Sequence, residues 1–253
     1  MNKEIFAAFY TQKGGAGKSS MTILVASYLH YVKNYNVAVI DCDTPQASIC
    51  DLREHEIKVV SENDYFKALA CAHFRNLGKK SYPVIRSDAA NALDEADRLL
   101  NEEAVKPDII FFDLPGTLKS NDVIKTLSQM DYIFTPISAD RLDMESSLQF
   151  VTLFNENLIT TGIAKTKGLH LFWTKVDGRE KNGLYAMYES IMDEMSISVM
   201  KTRLPDSKRF RKEMLGDRKN IFRSTLFPAE KSQIKGSNID LFSEEVVSLI
   251  KWQ

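Results

Sequence analysis

A glycine-rich stretch, Thr11-Gln-Lys-Gly-Gly-Ala-Gly-Lys-Ser-Ser20, separates an apolar run over Ile5–Tyr10 from a helix-like run over Ser19–Tyr31. Strand, glycine loop and helix in that order place a row of backbone N–H groups at a helix N-terminus, where an anion is stabilised. Gly14, Gly15 and Gly17 keep side chains out of the way of a close approach to the backbone. With Ala16 they form a cradle for a polyphosphate. Lys18 is placed to reach its β- and γ-phosphates, Ser19 to put its hydroxyl on Mg²⁺, and Ser20 to bond the α-phosphate. A glycine-rich turn carrying two surface lysines is the bland alternative, and the strand and helix on either side argue against it.

The runs Val37–Asp41, Ile109–Asp113, Tyr132–Ile137, Leu169–Thr174 and Ser198–Arg203 read as further strands. Several are apolar on consecutive residues, as in Ile109-Ile110-Phe111-Phe112, which is the signature of strands buried on both faces. Helical patterns fall between them at Asp64–Asn76, Ala89–Glu103, Ser120–Ser128, Met144–Leu158 and Leu184–Met195, with a last one at Ser243–Lys251. The alternation predicts an α/β fold of the P-loop NTPase type. Its sheet is doubly wound and mostly parallel, with helices on both faces and ligands at the carboxyl ends of the strands. With 253 residues and no Pro/Gly/Ser-rich linker, the chain reads as a single domain over 1–253.

Two strand ends add carboxylates. The second strand runs into Asp41-Cys42-Asp43, and another ends Phe111-Phe112-Asp113-Leu114-Pro115-Gly116. Carboxylates there can hold Mg²⁺ through its water, Asp113 most directly, while Gly116 can bring its N–H to a γ-phosphate. Helix capping is the competing use of each aspartate.

The first loop has Gln12 where the common G-x-x-x-x-G-K-[ST] pattern has glycine, and it carries a second lysine, Lys13. This K-G-G-x-G-K-S form resembles the deviant Walker loop of the ParA/MinD ATPases. The stretches Thr11–Lys18, Ala38–Asp43, Phe111–Thr117, Asp131–Asp140, Gly168–Glu180, Arg203–Lys212 and Phe222–Pro228 resemble in particular the ParA-like TraA proteins of conjugative transposons. The resemblance implies a slow, partner-stimulated, Mg²⁺-dependent ATPase that forms a homodimer on binding ATP, with Lys13 crossing to the other subunit's nucleotide. It gives Asp43 the attacking water, places Asp41 near the metal, and makes Thr174 and Pro205 adenine contacts. It also implies non-specific DNA binding by the ATP dimer, a ParB-like or other stimulating protein, and partition or transfer of a mobile element near the nucleoid. The chain departs from the D-x-D-P-Q pattern by one inserted residue, Thr44, which leaves the role of Gln46 open.

Residues Lys201–Arg223 hold nine basic and three acidic side chains, a net +6 in a chain of net charge -1, so the remainder carries -7. Such a concentration reads as a polyanion footprint, with Lys208, Arg209, Arg211, Lys212, Arg218 and Lys219 as the DNA-binding candidates; a solvated face paired to Glu213 and Asp217 is the alternative. Other readings compete. Asp113-x-x-Gly116 and Thr174-Lys175-Val176-Asp177 imitate GTPase boxes, but Thr174 stands where asparagine belongs. A MinD-like, membrane-recruited positioning ATPase needs a basic amphipathic terminus, whereas the last helix opens with Glu244-Glu245. A weakly hydrolysing, nucleotide-gated regulator of transfer genes and a metabolic ligase of this fold complete the set.

No apolar run approaches the ~20 residues that span a bilayer. The short N-terminus before Ile5 leads to the expectation of neither a signal peptide nor an operator-binding domain. Cys42, Cys50 and Cys71 have no metal-site spacing and read as free thiols, so the expected location is cytoplasmic. His30, His55, His73 and His170 are scattered and read as structural.

Overall fold

The computed structural model describes residues 4–44, 46–118, 120–179, 183–213 and 221–250. Seven parallel strands form one sheet: β1 (Ile5–Phe9), β2 (Val37–Asp41), β3 (Val84–Arg86), β4 (Ile109–Asp113), β5 (Tyr132–Ile137), β6 (Gly168–Trp173) and β7 (Ser198–Val199). Their order across the sheet is β3-β2-β4-β1-β5-β6-β7. The chain moves outward in both directions from β1, so the switch in direction lies beside β1 and β4, and there the carboxyl ends of the strands leave a crevice.

The two-residue strand period divides the interior into two cores. Ile5, Ala7, Phe9, Val37, Val39, Ile109 and Phe111 face one side, and Ala8, Tyr10, Ala38, Ile40, Ile110 and Phe112 the other. The first face is covered by α1 (Lys18–Ser27), α2 (Ser48–Glu62) and α9 (Ile239–Leu249). The second is covered by α4 (Ala92–Glu102), α5 (Asn121–Leu127), α6 (Arg141–Phe154) and α7 (Gly183–Glu194). Phe9 sits in the middle of the first core, its ring centroid within 5.5–6.2 Å of those of Phe111, Phe134, Phe172 and Phe242. The last of these belongs to α9, whose Ile239, Phe242 and Val246 are buried, so the C-terminal helix completes the core. Among the described residues no helix is long and apolar enough to cross a membrane.

Two predicted helices continue past their α-helical part: α1 into a π-helical turn at Tyr28–Val32, and α6 into another at Asn155–Ile159. The expected strand over Ser198–Arg203 is cut to Ser198–Val199, after which the chain follows β6 by single bonds such as Leu204 N–H to Trp173 O, 2.9 Å. Besides the short α8 (Lys231–Ile234) and a 3₁₀ turn at Lys208–Arg211, two elements have no counterpart in the sequence reading. The first is β3, a three-residue edge strand too short to show alternation. The second is α2, which buries only Ile49, Cys50, Leu52 and Glu56 of fifteen residues and so carries little apolar period. A further helix, α3 (Asp64–Leu77), is opened by the Asn63 side chain, which accepts from Tyr65 N and Phe66 N, and closed by Gly78 at φ 71°. It packs Phe66 and Ala70 onto Ile221, Leu226 and Phe227 in a third apolar cluster.

Candidate functional site

The loop between β1 and α1 turns twice through left-handed backbone, at Gly15 (φ 71°) and Gly17 (φ 89°), where a side chain is strained. Gly17 is also the N-cap of α1, and no side chain caps this helix or adds a negative charge to its first turn. The leading N–H groups of α1 therefore keep their capacity for an outside acceptor. Lys18 is buried at 8% exposure despite its charge. Its Nζ lies over Gly116, where an added Cβ would stand 3.0 Å from Lys18 Nζ, 3.1 Å from the Gln12 carbonyl oxygen and 3.3 Å from that of Thr11. Only a glycine lets the loop after β4 come this close to the loop after β1.

Asp41 and Asp113 end neighbouring strands and are paired in register. Both are fully buried, yet their environments differ. Asp41 Oδ2 accepts the backbone N–H groups of Ile49 (2.9 Å) and Cys50 (3.0 Å), so this carboxylate caps α2 from below. The capping alternative accounts for Asp41, and it also explains how a helix with so little apolar period is started. Neither oxygen of Asp113 has a well-formed hydrogen bond. Burial raises its pKa to about 7, with a further rise from Asp41 and Asp43, against the lowering by the Ser19 hydroxyl and the Lys18 ammonium. A buried carboxylate left in that condition beside a serine hydroxyl fits a divalent cation, which removes the penalty. Among the described residues no three His, Cys, Asp or Glu side chains converge as a metal cage. A cation here must take its remaining ligands from water and a bound anion, as Mg²⁺ does.

From this floor opens a cleft of about 720 Å³. The phosphate-loop residues Gly14, Gly15, Ala16, Gly17, Lys18, Ser19 and Ser20 line it together with Asp43, Gln46, Gly116, Thr174 and Pro205. These predicted residues therefore meet in one place, from five separate stretches of chain, while Asp41 and Asp113 are buried outside the lining. Gln46, left open by the sequence, is on the wall. Thr174 is held by its hydroxyl, which donates to the Ile137 carbonyl at 3.1 Å. Pro205 is held by the bridge that pairs it with Val176. Asp177, the last residue of the GTPase-like box, is outside the cleft and chelated by Arg179, with Nη2 to Oδ2 at 2.7 Å and Nε to Oδ1 at 3.0 Å. A guanine-reading aspartate is thus spent on a surface pair.

Lys13 does not line the cleft. Its ammonium forms an ion pair with Asp143 on α6, and Asp143 is held in turn by the Ser138 hydroxyl at 2.7 Å. The second lysine of the loop faces away from its own site. Sequence reasoning misses several cleft residues, among them Phe210, on the 3₁₀ turn Lys208–Arg211, and Arg223, which bonds the Ser20 hydroxyl. In sequence Arg223 is one more charge of a basic segment, and no spacing announces its return to α1.

That basic segment is less uniform than its composition. Lys208 and Lys212 are exposed. Arg209 is half-buried, with Nη1 donating to the carbonyls of Gln233 (2.7 Å) and Lys235 (2.6 Å), so its charge serves an internal tie. Arg203 is paired with Glu189 at 2.8 Å. The Arg211 side chain and the candidates Arg218 and Lys219 lie outside the described residues. The histidines do not converge, and the cysteines are free: Cys42 and Cys50 buried, Cys71 exposed.

Residues 6–151 match the family model described as "ATPase MipZ". No curated protein matches the chain. Among solved structures, the chain is similar to a plasmid partition protein from Borrelia burgdorferi bound to AMPPNP, with a TM-score of 0.59, 18% identity, and coverage of 98% of this chain and 100% of that one. It is also similar to pNOB8 ParA bound to nonspecific DNA, with a TM-score of 0.60, 17% identity and coverage of 97% and 98%. A third is a cobyrinic acid a,c-diamide synthase from Mycobacterium smegmatis with an ATP analogue and magnesium, at 0.61 and 15% with coverage of 97% and 94%. At such identities the likeness is one of fold.

Proposed function

The chain belongs to the family of the ATPase MipZ, ATPases of the ParA/MinD deviant Walker type, and from this we propose that it is a Mg²⁺-dependent ATPase working as a nucleotide-switched dimer whose ATP form binds DNA without sequence preference. The observation that carries the reading is the division of the two loop lysines. Lys18 is buried in the cleft against Gly116, while Lys13 leaves the cleft altogether. A lysine directed away from its own cleft, held there by Asp143, fits service to a second subunit's nucleotide once released, which is the role the family resemblance gives it.

In this reading the triphosphate lies along the first turn of α1, with Lys18 on its β- and γ-phosphates, Ser20 toward the α-phosphate, and the base end toward Thr174 and Pro205. The Ser19 hydroxyl and the Asp113 carboxylate would hold Mg²⁺, which would supply neutralisation of phosphate charge. Asp41 fixes the start of α2 through its Oδ2 and would stand near the metal. Asp43, at the cleft wall, orients the attacking water. Phosphoryl transfer demands chiefly positioning and neutralisation of charge on the equatorial oxygens, and Lys18, the N–H groups and the partner's second lysine supply these. Loss of the γ-phosphate releases the chain after Asp43 and after Asp113, which ends the dimer. Slow turnover, stimulation by a ParB-like protein, and partition or transfer of a mobile element are the biological setting that fits such a switch. The nucleotide-bound and DNA-bound states in which the structural neighbours were seen support it. The apolar face of α9 is spent on the core.

The test is light scattering with binding to an arbitrary DNA duplex in ATP, ADP or no nucleotide, across a salt series. The expected result is a doubled mass and DNA binding in ATP alone, with log affinity falling against log salt by about 0.9 for each phosphate contacted. A monomer in ATP, or DNA binding indifferent to nucleotide, overturns the switch.

A further inference from the structure

We infer that Arg223 is a nucleotide-binding residue of this site, taking the α-phosphate end of the bound nucleotide, and that Glu213 competes with the nucleotide for its guanidinium. The inference rests on the nucleotide reading of the cleft and adds a residue to it. Arg223 lies on a segment whose other members are interior: Ile221, Phe222, Ser224 and Thr225 are all buried. That segment is fastened to the helix that starts at the phosphate loop. Ser27 on α1 donates to the Ser224 carbonyl at 2.6 Å, and Tyr31 donates to the Thr225 carbonyl at 2.7 Å. From α2, Arg53 bonds Thr225 Oγ1 at 2.7 Å, and Glu56 Oε2 accepts the Thr225 N–H at 2.9 Å. Arg223 is therefore the one side chain of a rigid strap that turns into the cleft, with its backbone position set before any ligand arrives.

Its three nitrogens have different fates. Nη1 donates to the hydroxyl of Ser20, two residues past Lys18 on α1; Nη2 pairs with Glu213; and Nε is buried with no partner. A guanidinium carries its donors in a fork suited to phosphate oxygens, and a buried donor without an acceptor is a standing cost that an anion removes. Lys18 lies beside Gly116, and Phe210, which lines the cleft with Leu204 and Pro205, sets its ring 5.4 Å from that of Phe222, the neighbour of Arg223. Arg223 bonds Ser20, the residue given to the α-phosphate, so the group within reach of Arg223 is the α-phosphate, which ATP and ADP share.

The experiment is a titration of wild type, R223A and E213Q with fluorescent ATP and ADP analogues in Mg²⁺, with a thermal melt of each variant. The expected result is about tenfold weaker binding of both nucleotides by R223A, and tighter binding, by about two- to fivefold, in E213Q, where the competitor is gone. If Arg223 served only to brace Glu213, the two variants would shift affinity in the same direction, and that result overturns the inference. Equal affinity of R223A and wild type overturns it too, whether or not DNA binding falls. Failure of the wild type to bind ATP at all is a different outcome, which removes the nucleotide reading and this residue's role with it.

Discussion

Gly116→Ala is a one-methyl perturbation of the contact between the two loops that build the site. The new Cβ would meet Lys18 Nζ at 3.0 Å and two backbone oxygens, those of Gln12 and Thr11, at 3.1 and 3.3 Å. Ordinary contact begins near 3.5 Å, so each neighbour must yield by a few tenths of an ångström. Lys18 can swing, but the two carbonyls belong to a loop held by left-handed turns at Gly15 and Gly17, so they move only if the loop moves. Overpacking of this kind costs about 1–3 kcal/mol. If the strain is relieved by displacing the phosphate loop, it appears as lost nucleotide affinity, about 5- to 150-fold at 1.4 kcal/mol for each factor of ten; if it is not relieved, it appears in stability. The assay is an ATP titration and a thermal melt of G116A beside G178A, whose added methyl meets nothing within 4 Å. ATP affinity within twofold of wild type together with an unchanged melting temperature would refute the close approach of the two loops.

Three further outcomes are expected. His30 is 5% exposed, donates from Nε2 to the Lys80 carbonyl at 2.9 Å and accepts from Val37 N at 3.4 Å; burial lowers its pKa from 6.5 to about 4, with Lys79 and Arg53 adding to the fall. The unfolded chain thus binds the extra proton first. Stability is intact above pH 6.5 and is lost as pH falls toward 4, by up to about 3 kcal/mol, so denaturant titrations at pH 7 and 4.5 should differ less in H30Q than in wild type. Asp143→Ala frees Lys13 from a pair worth less than about 1 kcal/mol in each of two subunits, so ATP-driven dimerisation measured by sedimentation should tighten by no more than about 30-fold; weaker dimerisation would mean that the pair belongs to the dimer itself. Asp43→Ala should bind ATP and dimerise as wild type does while its phosphate release stops, and unchanged turnover would take the attacking water away from Asp43.

Much of the site is legible in the chain because it is local. Thr11–Ser20 holds loop, cap and helix start within ten residues, and β2 and β4 announce themselves by apolar runs that end in aspartate. What escapes is whatever depends on partners far along the chain. Asp41 looks the same as Asp113 in sequence, but eight residues later the N–H of Ile49 claims one of them as a cap. The helix it caps is hard to read from sequence, because its buried face includes a glutamate, Glu56, whose Oε2 accepts from Thr225, 169 residues away. Arg209 and Arg223 share a charge run with Lys208 and Lys212, yet only the tertiary structure turns the first to the carbonyls of Gln233 and Lys235 and the second to Ser20. Composition counts charges and cannot tell which are consumed inside the fold.

The account stands on a nucleotide in the cleft held by the buried lysine. Calorimetric titration of Mg²⁺-ATP into wild type and K18A tests this most directly. The account predicts one site per chain in the wild type, an affinity that falls when Mg²⁺ is chelated, and no measurable binding by a K18A variant that melts as wild type does. Equal ATP affinity in the two proteins would contradict it.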